Sequence, residues 1–403
     1  MPWKETYVME LKTEFVLRSL IETIPFRTLC REYGISTKTG YKWKQRFRAL
    51  GIEGLHELSR RPMNSPNKLG EDVICEIVKI KEAHRSWGAR KLLEVYARKN
   101  PDITPPSESS IQRILTKCGL VKKRRTRRSN KCGRIQNRIK AKAPNDLWTV
   151  DFKGWWYTNG GDRCEPLTVR DDFSCFLLCV EAVENARTET IQAHFERIFT
   201  IYGLPKVIRS DNGSPFAAKR SPLGLSRLSA WWVALGISLD RNRPGHPQDN
   251  HRHERMHQDI SKEVEHNING DLKTYQAELA AWQNTFNWER PHESLQMKIP
   301  GEVYRKSLHR FKGTPEKLEY PSGYVVRKVN CNGCINVDTS VIRISSACRG
   351  WDVGLKPIAP MKFVVWFGDI PLGQLDLDTD SFIPADSILD VQSSLLEEHN
   401  NLV

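Results

Sequence analysis

Three acidic residues stand where an acid has little reason to be unless it does chemistry. Asp151 interrupts the apolar run Trp148-Thr149-Val150-Asp151-Phe152, a setting in which an unpaired carboxylate is costly. Asp211 ends the run Val207-Ile208-Arg209-Ser210 and precedes Asn212-Gly213, a turn pair that leaves its carboxylate at the C-terminal edge of a strand. Glu254 follows Pro244-Gly245-His246-Pro247, which cannot continue a strand, and falls one turn into a helix expected to begin near Asn250. Neighbouring strand ends can bring such acids together. Converging carboxylates without a His or Cys cage suit oxygen-seeking Mg²⁺ or Mn²⁺ rather than zinc. Two such ions about 4 Å apart activate an attacking oxygen and stabilise a leaving one in an in-line phosphoryl displacement. Taken singly each acid has a plainer reading: an ion pair with arginine for Asp151, a turn residue for Asp211, a solvated helix position for Glu254. Four further acids compete for attention. Asp171 and Asp172 read as a hairpin turn, Asp240 as strand-terminal and Asp249 as part of a helix start.

The elements that must hold these acids are legible in the apolar texture from Leu147 onward. Runs 147–152, 166–170 and 175–183 read as strands, 188–202 as a helix and 206–210 as a strand. A helical segment around 226–235, a short strand 237–241 and helices at about 250–266 and 272–288 follow. Residues 320–386 return to short strands broken by Gly, Pro, Asn and Asp, which suggests a small β-barrel or sandwich. The tail beyond about 388 is expected to be poorly ordered.

The front third has a different character. Residues 1–142 carry 33 Lys and Arg against 14 Asp and Glu, whereas 143–403 carry 29 against 34, so the positive excess of the chain lies in front of the acids. A basic lobe of that size points to phosphate backbones, because each neutralised phosphate releases condensed counterions. Leu17, Leu20, Ile21 and Ile24 recur at helical spacing, Pro25 starts a second short helix and Gly34 ends it. Ser36 is a good N-cap for a third helix, whose Tyr41, Trp43, Phe47 and Leu50 can face inward while Thr37, Lys38, Lys42 and Lys44 stay outside. The pattern is that of a helix-turn-helix with 36–49 as recognition helix; a small helical bundle with a solvated basic face is the alternative. After Arg60-Arg61-Pro62 the logic repeats with 71–84, the run Trp87 to Leu92, and a helix capped by Ser107 that carries Ile111, Ile114 and Leu115. Residues 122–142 hold eleven Lys and Arg and no acid, a self-repelling segment suited to lying along DNA, or else a merely solubilising charge run.

Ten cysteines scattered through a long chain fit reduced thiols in a cytosol. Cys331 and Cys334 form a lone CxxC, and Asn332-Gly333 between them reads as a type I′ turn rather than half of a zinc site. Apolar stretches such as Phe176 to Val180 and Phe363 to Phe367 are far short of a membrane span, and the charged start (Lys4, Glu5, Glu10, Lys12) is not a secretory signal.

The order of the motifs carries a resemblance. Trp148 to Gly154, the run Ser210-Asp211-Asn212-Gly213-Ser214-Pro215-Phe216, and Pro247-Gln248-Asp249-Asn250 through His253-Glu254-Arg255-Met256-His257 resemble the integrase-core DDE transposases of bacterial insertion sequences. The run Phe286 to Leu295, with Arg290-Pro291-His292 at its centre, is similar to a signature just after that family's catalytic core. The resemblance extends from the N-terminal helices to about residue 305, and its order and spread make it more specific than any single motif. It implies a ribonuclease-H-like catalytic fold with a retroviral-integrase-like core, binding to terminal inverted repeats, and transesterification without a covalent protein intermediate. Asp151, Asp211 and Glu254 match the family's metal-binding acids, with two Mg²⁺ or Mn²⁺ ions per site. Joining two DNA ends implies at least a homodimer on double-stranded DNA, the element ends and the target, in the cytoplasm at a bacterial nucleoid and without a membrane.

Two departures stand out. Forty-two residues separate Asp211 from Glu254, where related integrases have about thirty-five, and Lys219 to Trp232 is expected to absorb the excess as a longer loop and helix. His251 stands where the family usually has glycine: close to the acids if Asn250 caps the helix, or else simply facing solvent at a helix start where glycine is favoured.

The expected architecture is multidomain α and α/β. Two N-terminal helix-turn-helix units (1–60 and 61–121) and a basic linker (122–143) precede a ribonuclease-H-like mixed-sheet core (144–310) and a small C-terminal β domain with a flexible tail (311–403). DNA contacts are expected from Lys38, Lys42, Lys44 and Arg113, and from Lys122, Lys123, Arg124, Arg125, Arg127 and Arg128, with Asn250, His251 and His257 neighbouring the acids. Two other functions stay open: a catalytically inactive, transposase-derived DNA-binding regulator, and a metal-dependent nuclease acting on RNA-containing duplexes, which the fold alone would permit. DNA affinity should reside mainly in residues 1–142 and fall steeply with salt. A salt titration of fragments 1–142 and 143–403 checks this, and equal affinity of the two at low salt contradicts it.

Overall fold

The computed structural model describes residues 7–58, 69–121, 139–183, 185–243, 246, 250–266 and 269–385. Two compact units divide the chain between Leu69 and Gly70. Lys122 to Arg128, the Pro244-Gly245 and Pro247–Asp249 approach to the Glu254 helix, and the tail lie outside the described residues.

The first unit is three helices, α1 (Val8–Ile21), α2 (Phe26–Glu32) and α3 (Thr37–Leu50), around Phe15, Val16, Leu29, Cys30, Trp43 and Leu55. Ser36 caps α3 by accepting from the Thr39 amide at 3.1 Å, as its side-chain chemistry dictates. Trp43 faces in, but Tyr41 and Leu50 are exposed. Lys44 departs from its expected outward position. Its ammonium donates to the Ser19 carbonyl at 2.8 Å and lies 3.6 Å from Glu22, because the C-terminal end of α1 presents unsatisfied carbonyls that attract a cation. Lys38 and Lys42 remain exposed on α3.

The second unit opens with another three-helix group, α4 (Glu71–Ala83), α5 (Ala89–Lys99) and α6 (Glu108–Lys117), packed on Ile77, Trp87, Leu92, Tyr96, Ile111 and Leu115. Lys81 closes the α4–α5 turn by donating to the Arg85 and Trp87 carbonyls at 2.6 and 2.8 Å. Ser107 caps α6 through the Ser110 amide at 3.2 Å, and Arg113 is exposed on that helix. This group is docked on the rest of its unit through charge. Arg98 reaches Glu302 at 2.9 Å and the Met297 carbonyl at 3.2 Å, Arg90 lies 3.7 Å from Glu293, and Ser86 bonds Glu263.

A mixed five-stranded sheet follows. β1 (Leu147–Phe152), β2 (Trp156–Tyr157), β3 (Arg163–Cys164), β4 (Pro166–Asp171) and β5 (Leu177–Ala182) precede α7 (Thr188–Tyr202), β6 (Val207–Ser210), α8 (Arg227–Ala234) and β7 (Ser238–Arg241). The sheet order is β5-β4-β1-β6-β7, antiparallel from β5 to β1 and parallel from β1 to β7, with β2 and β3 forming a separate ribbon. Side-chain alternation sends Trp148 and Val150 into the cluster of α7 and α8, and so turns Thr149 and Asp151 to the opposite face. That face is covered by α9 (His251–Ile260), which runs on into a π-helical turn at Ser261–Glu265, and by α10 (Leu272–Trp288), both packed on Leu177 and Val180. The short helix α11 (Pro300–Val303) follows.

The C-terminal strands are β8 (Val325–Lys328), β9 (Cys334–Val337), β10 (Ser340–Arg343), β11 (Asp352–Ala359), β12 (Lys362–Phe367), β13 (Ile370–Asp376) and β14 (Ser381–Pro384). They form an antiparallel sheet β14-β13-β12-β11-β8 and a β9-β10 ribbon. This region shares its core with the acid-bearing sheet, since Leu355, Val365, Phe367 and Leu372 belong to one apolar cluster with Trp148, Phe199 and Trp232. The Cys331–Cys334 segment is a turn, but not of type I′: Gly333 has φ +79° and Asn332 does not share the positive φ that type demands. Asn330 organises it instead, its carboxamide oxygen accepting from the Asn332 and Cys334 amides at 3.0 Å.

Candidate active site

The parallel pairing of β1 with β6 places Leu147, Trp148 and Thr149 opposite Val207, Ile208 and Arg209. Continued two residues, the same register sets Asp151 beside Asp211 on neighbouring strand ends, about 5 Å apart in the backbone. Gly213 allows the turn after Asp211, for a Cβ at 213 would stand 2.8 Å from the Asp211 carboxylate. One oxygen of that carboxylate, Oδ1, is buried with no hydrogen-bond partner. Beneath it Arg241 is buried, donating to the Phe216 carbonyl at 2.8 Å; burial pulls its guanidinium down to about 10 while Asp211 and Asp240 oppose the shift.

Glu254 lies in the first turn of α9 and is exposed. The helix begins after Asn250 as expected, yet Asn250 does not cap it. Its amide donates to Asp151 Oδ2 at 2.7 Å instead. Burial, followed by the charges of Asp211 and then Glu254, pushes the Asp151 carboxyl up to about 7 against the bonds from the Phe152 amide and Asn250. Asp151 therefore feels the charge of both other acids. Among the described residues, no three His, Cys, Asp or Glu side chains converge closely enough to hold a metal as they stand.

A second tier fixes Asp151 from behind. Thr168, its partner across the β1–β4 ladder, donates its hydroxyl to the Asp151 carbonyl at 2.8 Å. That hydroxyl has one proton to give, so its 2.9 Å contact with His257 Nε2 runs from an Nε2–H donor. Burial, reinforced by Lys153, lowers His257 to about 4 and keeps it neutral. Thr168 was not legible in the sequence, being a product of strand register; Asn250, expected as a neighbour of the acids, makes its contact through the entry of α9.

The competing acids have structural work. Asp171 is fully buried at the end of β4 and accepts from the Asn145 and Ser174 amides at 2.7 Å, which makes it the organiser of its turn. Asp172 pairs with Arg252 at 3.2 Å, and Asp240 with Arg209 at 2.6 Å. Asp249 lies outside the described residues. His251 is exposed and lines, with Asn250, Arg252, Thr149, Arg209 and Lys298, an open cavity of about 620 Å³ whose wall includes none of the three acids. No helix of the described residues is long and apolar enough to cross a membrane.

Residues 141–247 and 235–300 match the integrase core domain, residues 12–63 a helix-turn-helix domain and residues 39–115 a homeodomain-like domain. An uncharacterized 31.7 kDa protein of insertion element IS407 from Burkholderia multivorans is 26% identical over 64% of this chain and 90% of its own length. An uncharacterized 39.2 kDa protein of insertion element IS476 from Xanthomonas euvesicatoria is 24% identical over 61% of this chain and 68% of its own. Among solved structures, the HTLV-2 integrase catalytic core domain in complex with magnesium is 16% identical, covering 41% of this chain and 100% of that one, with a TM-score of 0.32. The protein thus combines DNA-binding helix-turn-helix units with an integrase core. Its domain matches and its relatives are those of integrase-like proteins of insertion elements.

Proposed function

We propose that the protein binds the terminal inverted repeats of a mobile element and cleaves and joins DNA strands there, with Asp151, Asp211 and Glu254 as its catalytic acids. The observation that carries this reading is the β1–β6 register that sets Asp151 beside Asp211, with the Asn250 amide on Asp151 and burial and two further acids pushing its carboxyl up. A structural aspartate is normally relieved by a cation; this one faces more negative charge, the condition in which a divalent cation binds best. An oxygen-only donor set with one unpartnered buried oxygen at Asp211 fits Mg²⁺ or Mn²⁺. Two ions held by the three acids would supply Lewis-acid activation of the attacking oxygen and charge stabilisation of the leaving one. Asn250 orients the Asp151 carboxylate, while Thr168 and neutral His257 hold its backbone. The exposed lysines of α3 and Arg113 of α6 contact DNA, together with Lys122 to Arg128, and two copies of the chain bring two ends together. The test is end cleavage and strand transfer by the full chain on a duplex carrying its own element ends with Mg²⁺; DNA binding without either reaction would favour an inactive DNA-binding regulator.

His251 tunes this site. It lies one turn before Glu254, on the cavity wall, where glycine would leave space for a DNA strand. His251→Gly is expected to raise strand-transfer turnover several-fold, with wild type and His251→Ala slower. Rates for the three between pH 6 and 8.5 check this. Identical profiles would remove His251 from the mechanism.

A further inference from the structure

The ribbon that follows Asp151 carries aromatic surface that the fold does not use. Between β1 and β4 the chain turns out at Gly154 and returns through β2 and β3. Trp156 packs inward, edge-on to Tyr275 at 5.8 Å between ring centroids, with the Lys153 ammonium 4.5 Å from its ring. Trp155 and Tyr157 point away from that core and are 54% and 64% exposed. Their rings meet edge to face at 5.3 Å, and the Arg163 guanidinium lies 5.1 Å over Trp155 while Nη2 pairs with Glu165 at 2.7 Å. The ribbon is tied down at its tip, where the Thr158 amide donates to the Asp162 carbonyl at 2.8 Å and the Asn159 amide to Gly270 at 3.2 Å. The two rings are thus held on a fixed base. Only three residues separate Trp155 from Asp151, so at most about 14 Å of extended chain lies between them.

We propose that Trp155, Tyr157 and Arg163 form a stacking platform for an unpaired nucleobase of the DNA strand delivered to the acids; this rests on the reading of Asp151, Asp211 and Glu254 as the cutting site. Every base offers a π face, so aromatic stacking holds a strand without reading its sequence. A guanidinium beside the rings adds cation–π attraction and donors for a neighbouring phosphate. A platform at this distance favours the opened form of a DNA end over the paired one, and so holds a single strand near the acids.

The test uses the full chain without divalent metal, so that no strand is cut. One probe is a duplex ending in a three-nucleotide unpaired 3′ tail that contains 2-aminopurine; the other is the blunt duplex of the same paired sequence. The tailed duplex should bind about tenfold more tightly, with additional quenching of 2-aminopurine emission. The double variant Trp155→Ala/Tyr157→Ala should lose both the preference and the quench, yet bind the blunt duplex within about twofold of wild type, because the helix-turn-helix units supply that affinity. Trp155→Phe should keep the preference. Equal binding of the two probes by wild type overturns the proposal, and so does a preference that survives the double variant. A double variant that changes the sedimentation behaviour of the free protein and leaves the preference intact would assign the surface to a second copy of the chain instead. Since neither metal nor cleavage enters the measurement, a protein that proves unable to cut still reports on the platform.

Discussion

Replacing Asp151 with asparagine is expected to end DNA cleavage and joining while making the folded protein more stable above neutral pH. The carboxyl stands at about 7 in the fold, through burial first and the charges of Asp211 and Glu254 next, and near 4 in an unfolded chain. A raised value means that the folded state holds the proton more tightly. The stability this contributes is fully present below about pH 4 and is lost as pH rises through 7. At pH 8 the ionised acid therefore costs the metal-free fold on the order of 2–4 kcal/mol. Asparagine keeps the shape and removes the charge. Asp151→Asn should melt several degrees above wild type at pH 8 without metal, with the gap closing toward pH 5. Mg²⁺ or Mn²⁺ should raise the melting temperature of wild type and leave that of the variant nearly unchanged. Strand transfer should fall by about a thousandfold or more while DNA affinity stays within about twofold, since a metal ligand is lost and the helix-turn-helix units are untouched. Asp211→Asn and Glu254→Gln should lose activity equally but gain less stability, because their charges act on Asp151 from outside its burial. Full Mg²⁺-dependent strand transfer by any of the three would sink the assignment.

How much of this was legible depended on whether the signal was local. β1 and α7 fall where apolar alternation and helical spacing put them, because strands and helices bury one face each and the sequence must mark it. Asp151 stood out for the same reason, as a charge inside a marked face. Interactions between distant segments left no such mark. Asn250 reads as a helix cap in isolation, and only the approach of α9 to β1 diverts its amide to Asp151. Lys44 reads as an outer-face cation until the end of α1 is brought beside it. The β2–β3 ribbon is too short for periodicity to reveal, with two residues in each strand. The charged docking of α5 onto Glu293 and Glu302 looks, in sequence, like ordinary solvated surface. The C-terminal strands were identifiable as strands, but nothing in their alternation said that their inner face would share a core with Trp148 and Phe199.

The remaining large effect is expected at Arg290, in the segment just after α10. Its guanidinium is hydrogen-bonded to Asp259 and lies 5.1 Å from the Phe286 ring, and both partners' side chains are only 7% exposed. Asp259 belongs to α9, five residues beyond Glu254, so the pair pins the helix that carries the third acid. The next cation, Arg255, is 4.0 Å from Asp259 and largely in solvent. Arg290→Leu therefore leaves a buried carboxylate with little compensation and should lower stability by about 3–5 kcal/mol, whereas Asp259→Leu/Arg290→Leu removes both charges and should recover most of that loss. Activity should divide the two variants differently. A leucine pair packs without a preferred direction, while the ion pair fixes one rotation of α9, and a helix free to turn presents Glu254 to the other acids only part of the time. Urea unfolding and strand transfer on the same preparations separate the effects: the double variant should regain stability and remain at least about tenfold slower than wild type. A double variant with full activity would show that the pair serves stability alone. A single variant that loses less than about 1 kcal/mol would show that water reaches Asp259 and that α9 is held by its apolar contacts, Met256 and Ile260 on Leu177 and Val180, rather than by charge.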